Sequence, residues 1–225
     1  MWPDGLVSKN MLTVLKHFDL QLTVNANVLE RYEQEGIPVA YWQIGFEPTD
    51  NVPDMPKHDI VFLANAYSDS RLELEQVLLA TGKDVGLYGS GWEHPAGQTL
   101  YDFRTGRGIY QNAKIAIGDN QYPEQRGFVS NRLFEALASG VLLLHQEIDG
   151  LEELTGLEDG VHYVVWTDHD DLKKKLRYWL AKTRADKRLA IAREGMRFVH
   201  ERHSFDARVR ELFMELLPEV QRVRV

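Results

Sequence analysis

Cysteine is absent from this sequence of 225 residues, which excludes disulfide bonds and thiolate metal ligands. Long apolar runs are absent too, since none approaches the roughly 20 residues that span a bilayer. Residues 1–10 lack the basic and apolar regions of a signal peptide. We therefore expect a cytoplasmic protein without a membrane span.

Positive charge is in short supply, because 26 lysines and arginines face 34 aspartates and glutamates, for a formal net charge of -8. An acidic chain is a poor nucleic-acid binder, so nucleic acid is an unlikely partner. The hydrophobic fraction of 44% and charged fraction of 27% are typical of a globular protein with a buried core.

Strand-like and helix-like segments alternate along the chain. Strands are predicted over 19–25, 37–46, 60–65, 84–90, 114–120, 141–146 and 163–166. Helices are predicted over 27–36, 68–82, from Ser130 to about Gly140, and over 170–182, 185–203 and 205–220. This alternation predicts an α/β fold, a doubly wound parallel sheet with helices on both faces. Such sheets bind ligands at the carboxyl ends of their strands.

The segment GFVSNRLFEALASG, residues 127–140, begins at such a place. Ser130 or Asn131 can cap the helix, whose first-turn amides attract anions. Arg132 opposes the helix dipole there, and a bound phosphate would offset that. Glu135 lies on the same polar strip, and its carboxylate can accept two vicinal sugar hydroxyls. The alternative is a surface Arg132–Glu135 ion pair, which contributes only about 0.3–0.5 kcal/mol.

Three segments in order resemble the CgeB-like (spore-maturation) branch of GT-B glycosyltransferases of the glycosyltransferase-4 type. They are DIVFLANAYSDSRLE, VGLYGSGW and NRLFEALASG, and residues 160–209 resemble that branch as well. The resemblance covers roughly residues 56–210. It implies a Rossmann-like GT-B donor domain that binds a nucleotide sugar, preceded by a much reduced N-terminal acceptor domain.

The resemblance implies specific donor-binding residues. Glu135 matches the ribose-binding glutamate, and Arg132 matches a phosphate-binding arginine beside it. The other matching positions are Asn65, Tyr67 and Arg71 after the first donor-domain strand, and Gly89 and Gly91 in a donor-facing loop. Ser130 and Asn131, the candidate caps, complete the set of expected donor-binding residues. Helix amides and arginines would replace a metal, so we expect no metal and no cofactor beside the donor substrate.

The chain departs from the broader type at one position. A glutamate that contacts the donor sugar there is Gly127 here, and Glu124 lies nearby but out of register.

Several of these residues have a purely structural interpretation. Arg71 can be a solvated helix residue, Gly89 and Gly91 can close a tight turn, and Trp92 can be a core aromatic. His200 and His203 have metal-ligand spacing, but their charged helix favours a solvated face. The basic run 172–177 is interpreted in the same way.

The Pro- and Asp-rich segment 49–59 is the best candidate for a linker. We predict that residues 1–55 are the remnant of a first Rossmann-like domain, packed by a C-terminal helix over 205–222. Residues 56–204 would form the nucleotide-sugar domain.

Two functions remain open. The first is transfer of a sugar from a nucleotide diphosphate donor to an acceptor that the sequence does not identify. The second is a non-catalytic nucleotide or nucleotide-sugar binding module that acts with a partner. A second copy of the chain or a separate acceptor-binding subunit would complete the reduced first domain. No residue is singled out as the catalytic base.

Overall fold

Five parallel strands form the central sheet of the computed structural model, which describes residues 9–48, 52–93, 103–122 and 124–218. The strands are His58–Leu63 (β3), Val85–Tyr88 (β4), Ala113–Gly118 (β5), Leu142–Gln146 (β6) and Val164–Trp166 (β7). Their order across the sheet is β4-β3-β5-β6-β7. Every neighbouring pair is parallel.

Helices cover both faces of this sheet. They are Asp69–Leu79 (α3), Phe103–Gln111 (α4), Asn131–Ala138 (α5), Leu151–Thr155 (α6), His169–Leu180 (α7) and Ala185–Arg202 (α8). On one face α4 and α5 pack against the sheet through Tyr110 and Phe134. On the other, α3 and α7 contribute Leu78 and Leu176 to a second core. The predicted doubly wound α/β fold is confirmed.

A small N-terminal unit precedes the sheet. It contains Lys9–Leu15 (α1), Gln21–Thr23 (β1), a 3-10 turn at Ala26–Val28, Leu29–Gln34 (α2) and Val39–Tyr41 (β2). β1 and β2 form a separate parallel pair. The strand predicted over 37–46 is therefore too long. Its second half pairs elsewhere, because Phe46 exchanges backbone hydrogen bonds with His203 and Phe205 at 3.2 and 3.0 Å.

The C-terminal segment lies against this unit. Phe205–Glu211 (α9) continues into a π-helical turn at Leu212–Leu216. The Trp42 indole nitrogen donates to the carbonyl oxygen of Arg208 at 3.3 Å. The sequence predicts that the C-terminal helix packs on residues 1–55. Residues 1–8, 49–51 and 219–222 lie outside the described residues, so for them this packing remains a prediction.

His203 is not on a solvated face, so that interpretation was wrong for it. Its side chain is buried at the junction of α8 and α9. Its Nδ1 accepts from Arg208 at 2.5 Å, and its Nε2 donates to the Thr155 carbonyl oxygen at 3.1 Å. Burial and the Arg208 charge lower the pKa of His203 to about 3, so it is a neutral structural link. His200 remains exposed.

Candidate functional site

A crevice of about 390 Å³ lies between the N-terminal unit and the carboxyl ends of β5 and β6. The N-terminal unit contributes Val24 and Ile44 to its wall. Residues 119–122, which follow β5, residues 128–132 and His145 form the opposite side. The predicted ligand edge of the sheet therefore carries a cavity.

Ser130 is the N-cap of α5, one of the two predicted candidates. Its backbone is extended, and its hydroxyl accepts from the amide of Arg132 at 3.4 Å. Asn131 is the first residue of the helix and is exposed beside the crevice. Ser130, Asn131 and Arg132 line the crevice, so the positive end of the α5 dipole lies at its wall, where an anion is favoured.

Arg132 points back toward the strand ends. Its Nε donates to the Ser130 hydroxyl at 3.1 Å and its Nη1 to the Leu63 carbonyl oxygen at 2.5 Å. Its Nη2 lies 3.9 Å from a carboxylate oxygen of Asp119. The alternative surface ion pair with Glu135 is not formed, since these contacts hold the guanidinium at the ends of β3 and β5.

Arg71 is not a solvated helix residue, because its side chain is only 4% exposed. Its Nε and Nη2 hold both oxygens of Asp119 at 2.6 and 3.1 Å. Its Nη1 donates to the Asn65 carbonyl oxygen at 2.8 Å. All three nitrogens thus have protein acceptors, which favours a role in positioning Asp119 and the loop after β3. Direct contact with a phosphate remains a prediction.

The loops after β3 and β4 are joined by hydrogen bonds. The Asn65 side-chain oxygen accepts from the Ser90 amide at 2.8 Å, and the Trp92 indole donates to the Ala64 carbonyl oxygen at 2.7 Å. Gly89 has φ +135°, and a Cβ atom there would overlap that same carbonyl oxygen. Gly91 has φ +88°.

Tyr67 is the most solvent-accessible of the predicted donor-binding residues that follow β3. Its side chain is 70% exposed on the loop before α3. The structure therefore brings Asn65, Arg71 and Arg132 together around Asp119 and leaves Tyr67 projecting into solvent.

Glu135 lies one turn into α5 and is half-buried. Burial raises the pKa of its carboxyl group, while the charges of Arg107 and Arg132 oppose that rise. Within the described part of the chain, its carboxylate forms neither a hydrogen bond nor an ion pair. A partly desolvated carboxylate without a protein donor can bind hydroxyl groups of a ligand.

Arg107 on α4 was missed by the sequence analysis. Its side chain is 4% exposed, its Nη2 donates to the Glu47 carbonyl oxygen at 2.7 Å, and its guanidinium lies 5.7 Å from the Phe46 ring centroid. Its Nε is buried without a partner among the described residues. Burial lowers the pKa of Arg107, and the charges of Glu135 and Glu47 oppose this. Arg107 thus links the donor edge to the end of the N-terminal unit.

Asp119 and His145 were missed as well. Asp119 follows β5 directly, and a polar residue at the carboxyl end of a buried strand was the available signal. The Nδ1 of the buried His145 donates to the Gln146 carbonyl oxygen at 2.7 Å. Burial lowers the pKa of His145, so the neutral ring keeps Nε2 as an acceptor beside the crevice.

Gly127, which replaces the sugar-binding glutamate of the broader type, is buried with φ +72°. A Cβ atom there would overlap the end of the Leu154 side chain, so a larger residue would need that side chain to move as well as a strained backbone. Its carbonyl oxygen accepts from Tyr41 at 2.7 Å and from Gln43 at 2.8 Å. Glu124 is exposed on the same loop.

The residues that the structure describes contain no cluster of three or more His, Asp or Glu side chains that could hold a metal ion. None of their helices combines the length and apolar character that a membrane crossing requires.

Residues 70–214 match the family model described as glycosyl transferase-like. Comparison with curated proteins gives no match. Among solved structures, a sucrose-phosphate synthase from Thermosynechococcus elongatus is similar at a TM-score of 0.64 and 14% identity. The alignment covers 99% of this chain and 64% of the synthase.

Two further structures are similar. The pneumococcal O-GlcNAc transferase GtfA, in complex with UDP and GlcNAc, has a TM-score of 0.62 and 14% identity over 95% of this chain and 47% of its own. A TarM variant from S. aureus, in a complex that contains UDP, has a TM-score of 0.64 and 14% identity. That alignment covers 93% of this chain and 46% of the TarM chain. The chain thus spans less than two thirds of these proteins, and the likeness establishes a GT-B fold.

Proposed function

The chain belongs to the glycosyl transferase-like family, and we propose that it transfers a sugar from a nucleoside diphosphate donor to an acceptor hydroxyl. Glu135 carries this proposal. It is a half-buried carboxylate with no hydrogen-bond or ion-pair partner among the described residues, and it lies one turn from the capped start of α5. The UDP bound in the GtfA and TarM complexes supports a nucleoside diphosphate as the ligand of this edge.

The position of these groups at one edge of the sheet supports the proposed roles. Glu135 accepts hydrogen bonds from the ribose hydroxyls, while the first-turn amides of α5 and Arg132 bind the diphosphate. The same donors stabilise the charge that develops on the diphosphate as it leaves. We propose that this occurs without a metal, in a cytoplasmic enzyme of the CgeB-like branch.

Replacing Glu135 with glutamine should weaken nucleoside diphosphate binding by about 10- to 100-fold, because hydrogen bonds to a charged group contribute about 1.5–3 kcal/mol. The free protein should become more stable at neutral pH. The raised pKa of Glu135 means that the native state holds its proton more tightly than the unfolded chain. The free energy of unfolding therefore falls as pH rises through that pKa. The glutamine variant has no carboxyl group to ionise there, so it does not lose this stability.

The measurement is thermal unfolding with and without UDP, GDP and ADP at several pH values. At 100 times its dissociation constant, a ligand should add about 2.7 kcal/mol of stability. Glu124→Gln is the matched control, since Glu124 is exposed on the adjacent loop, and neither quantity should change. Destabilisation by Glu135→Gln with undiminished binding would mean that Glu135 is a structural residue.

The alternative, a non-catalytic binding module, is favoured by one observation. Gly127 leaves no side chain where the broader type places its sugar-binding glutamate. Acceptor-dependent release of nucleoside diphosphate from a nucleotide sugar distinguishes the two functions. We expect release in the oligomer or with an acceptor-binding partner, because a small N-terminal unit leaves the crevice more open to water. Binding without release under every condition would favour the module.

A further inference from the structure

A groove of about 440 Å³ separates the carboxyl-terminal ends of α3 and α7. Its floor and walls are mostly apolar, with Val77, Leu176 and Leu180 among them. Lys83, Lys173 and Arg177 also line it. Because Lys83 lies two residues before the start of β4, the groove is at the amino ends of the strands, the edge of the sheet opposite the donor crevice.

The groove belongs to a basic surface in an acidic protein. Residues 173–188 contain eight lysines and arginines and one aspartate, although the chain has a net charge of -8. Lys173 and Lys175 pair with aspartates at the start of α7. The other six cations of this segment and Lys83 have no carboxylate within 4 Å in the described ranges; Arg177, Lys182 and Lys187 are among them.

Aromatic side chains lie among these cations. The Arg184 guanidinium is 4.3 Å from the centroid of the Tyr178 ring, which is 39% exposed. Lys187 lies 5.7 Å from the centroid of the Trp179 ring, which is itself buried in the core. An exposed amphipathic ring such as Tyr178 is favoured where an apolar layer meets a charged one.

We propose that this basic groove docks the protein onto an anionic membrane surface, with a lipid phosphate between Lys83 and Arg177 and the adjoining acyl carbons in the groove. Its volume is within the range of sites for single small molecules. The cations would attract either an anionic lipid surface or a nucleic acid. The apolar slot between them favours lipid, because it suits a hydrocarbon chain rather than a phosphate backbone.

Docking through this edge would leave the donor crevice facing the solution, where a nucleotide sugar is available. The proposal is independent of the proposed function, because no residue of the groove belongs to the donor crevice. Its variants should therefore keep the thermal stabilisation by nucleoside diphosphate.

The test is sedimentation with vesicles of phosphatidylcholine alone or with one third phosphatidylglycerol. Binding should need the anionic lipid and should disappear between about 0.1 M and 1 M salt, where the screening length falls from about 10 to 3 Å. The triple variant Arg177→Gln, Lys182→Gln, Lys187→Gln should bind about a hundredfold more weakly, at about fivefold for each charge removed.

Two controls separate the groove from net charge. Lys16→Gln, Arg202→Gln, Arg210→Gln removes three exposed cations from the N-terminal unit and the ends of α8 and α9, and it should bind like the original chain. Ala181 lies at the extended N-cap of the 3-10 turn 182–184 and lines the groove. Ala181→Asp and Ala181→Asn are both good caps. Only the aspartate should weaken vesicle binding, by about fivefold.

Three results would overturn the proposal. They are equal binding to both kinds of vesicle, equal losses in the two triple variants, and binding to an acidic peptide or RNA without binding to vesicles. Thermal unfolding of each variant verifies that a loss of binding is not a loss of folding.

Discussion

Replacing Arg71 with methionine should lower the free energy of unfolding by about 3–5 kcal/mol, the usual effect of removing one partner of a buried ion pair. The two side chains are 4% and 11% exposed and share two hydrogen bonds. Without Arg71, the one cation left within 4 Å of the Asp119 carboxylate among the described residues is Arg132, at 3.9 Å. Urea denaturation at neutral pH measures the change.

The double variant Arg71→Met, Asp119→Leu should recover most of that loss, because apolar residues can replace a buried pair with little net effect. Arg31→Met is the surface control. Its pair with Glu35 has side chains that are 58% and 31% exposed, and its loss should be about 0–1 kcal/mol. If Arg71→Met destabilises no more than Arg31→Met, water reaches Asp119 and the pair does not organise the donor edge.

The parallel sheet could be predicted because its strands are continuous apolar runs. A run such as 60–65 is buried on both faces by helices, so burial alone selects an extended apolar segment. The start of α5 could be predicted from the sequence as well. A serine before an apolar helix indicates a cap, and a lone glutamate within that helix is noticeable from sequence.

Helix α4 could not be predicted, because contacts with distant parts of the chain, and not local sequence preferences, explain it. Gly106 and Gly108 each disfavour a helix by about 1 kcal/mol. Gly108 is required because a Cβ atom there would overlap the Pro53 carbonyl oxygen, in a segment more than fifty residues earlier. Arg107 lies between these glycines, so its place beside the donor edge was missed with the helix.

The short β2 strand and the buried His203 have one common cause. Residues near Phe46 pair with the backbone near Ser204 instead of extending β2. Pairing between segments so far apart in sequence leaves no local pattern.

Gly89→Ala should destabilise the protein by about 2–6 kcal/mol, since backbone strain and overpacking each contribute about 1–3 kcal/mol. Gly89 has φ +135°, and an added methyl group would overlap the Ala64 carbonyl oxygen and approach the Asn65 side chain. Relief of that overlap must move the loop after β3. Because Arg71 and Ser90 hold this loop, nucleoside diphosphate affinity should fall together with stability.

Gly82→Ala is the matched control for Gly89→Ala. Gly82 also has positive φ, +63°, but a Cβ atom there meets nothing within 4 Å. The free energy of unfolding of Gly82→Ala should fall by only about 1–2 kcal/mol, because alanine is strained in the left-handed conformation. Its affinity for nucleoside diphosphate should not change. Urea denaturation and UDP titration at low temperature, where both variants are folded, measure the two effects. Displacing a loop that faces the donor must weaken the binding of the donor nucleotide. Unchanged UDP affinity in folded Gly89→Ala would therefore mean that this glycine only closes the turn after β4.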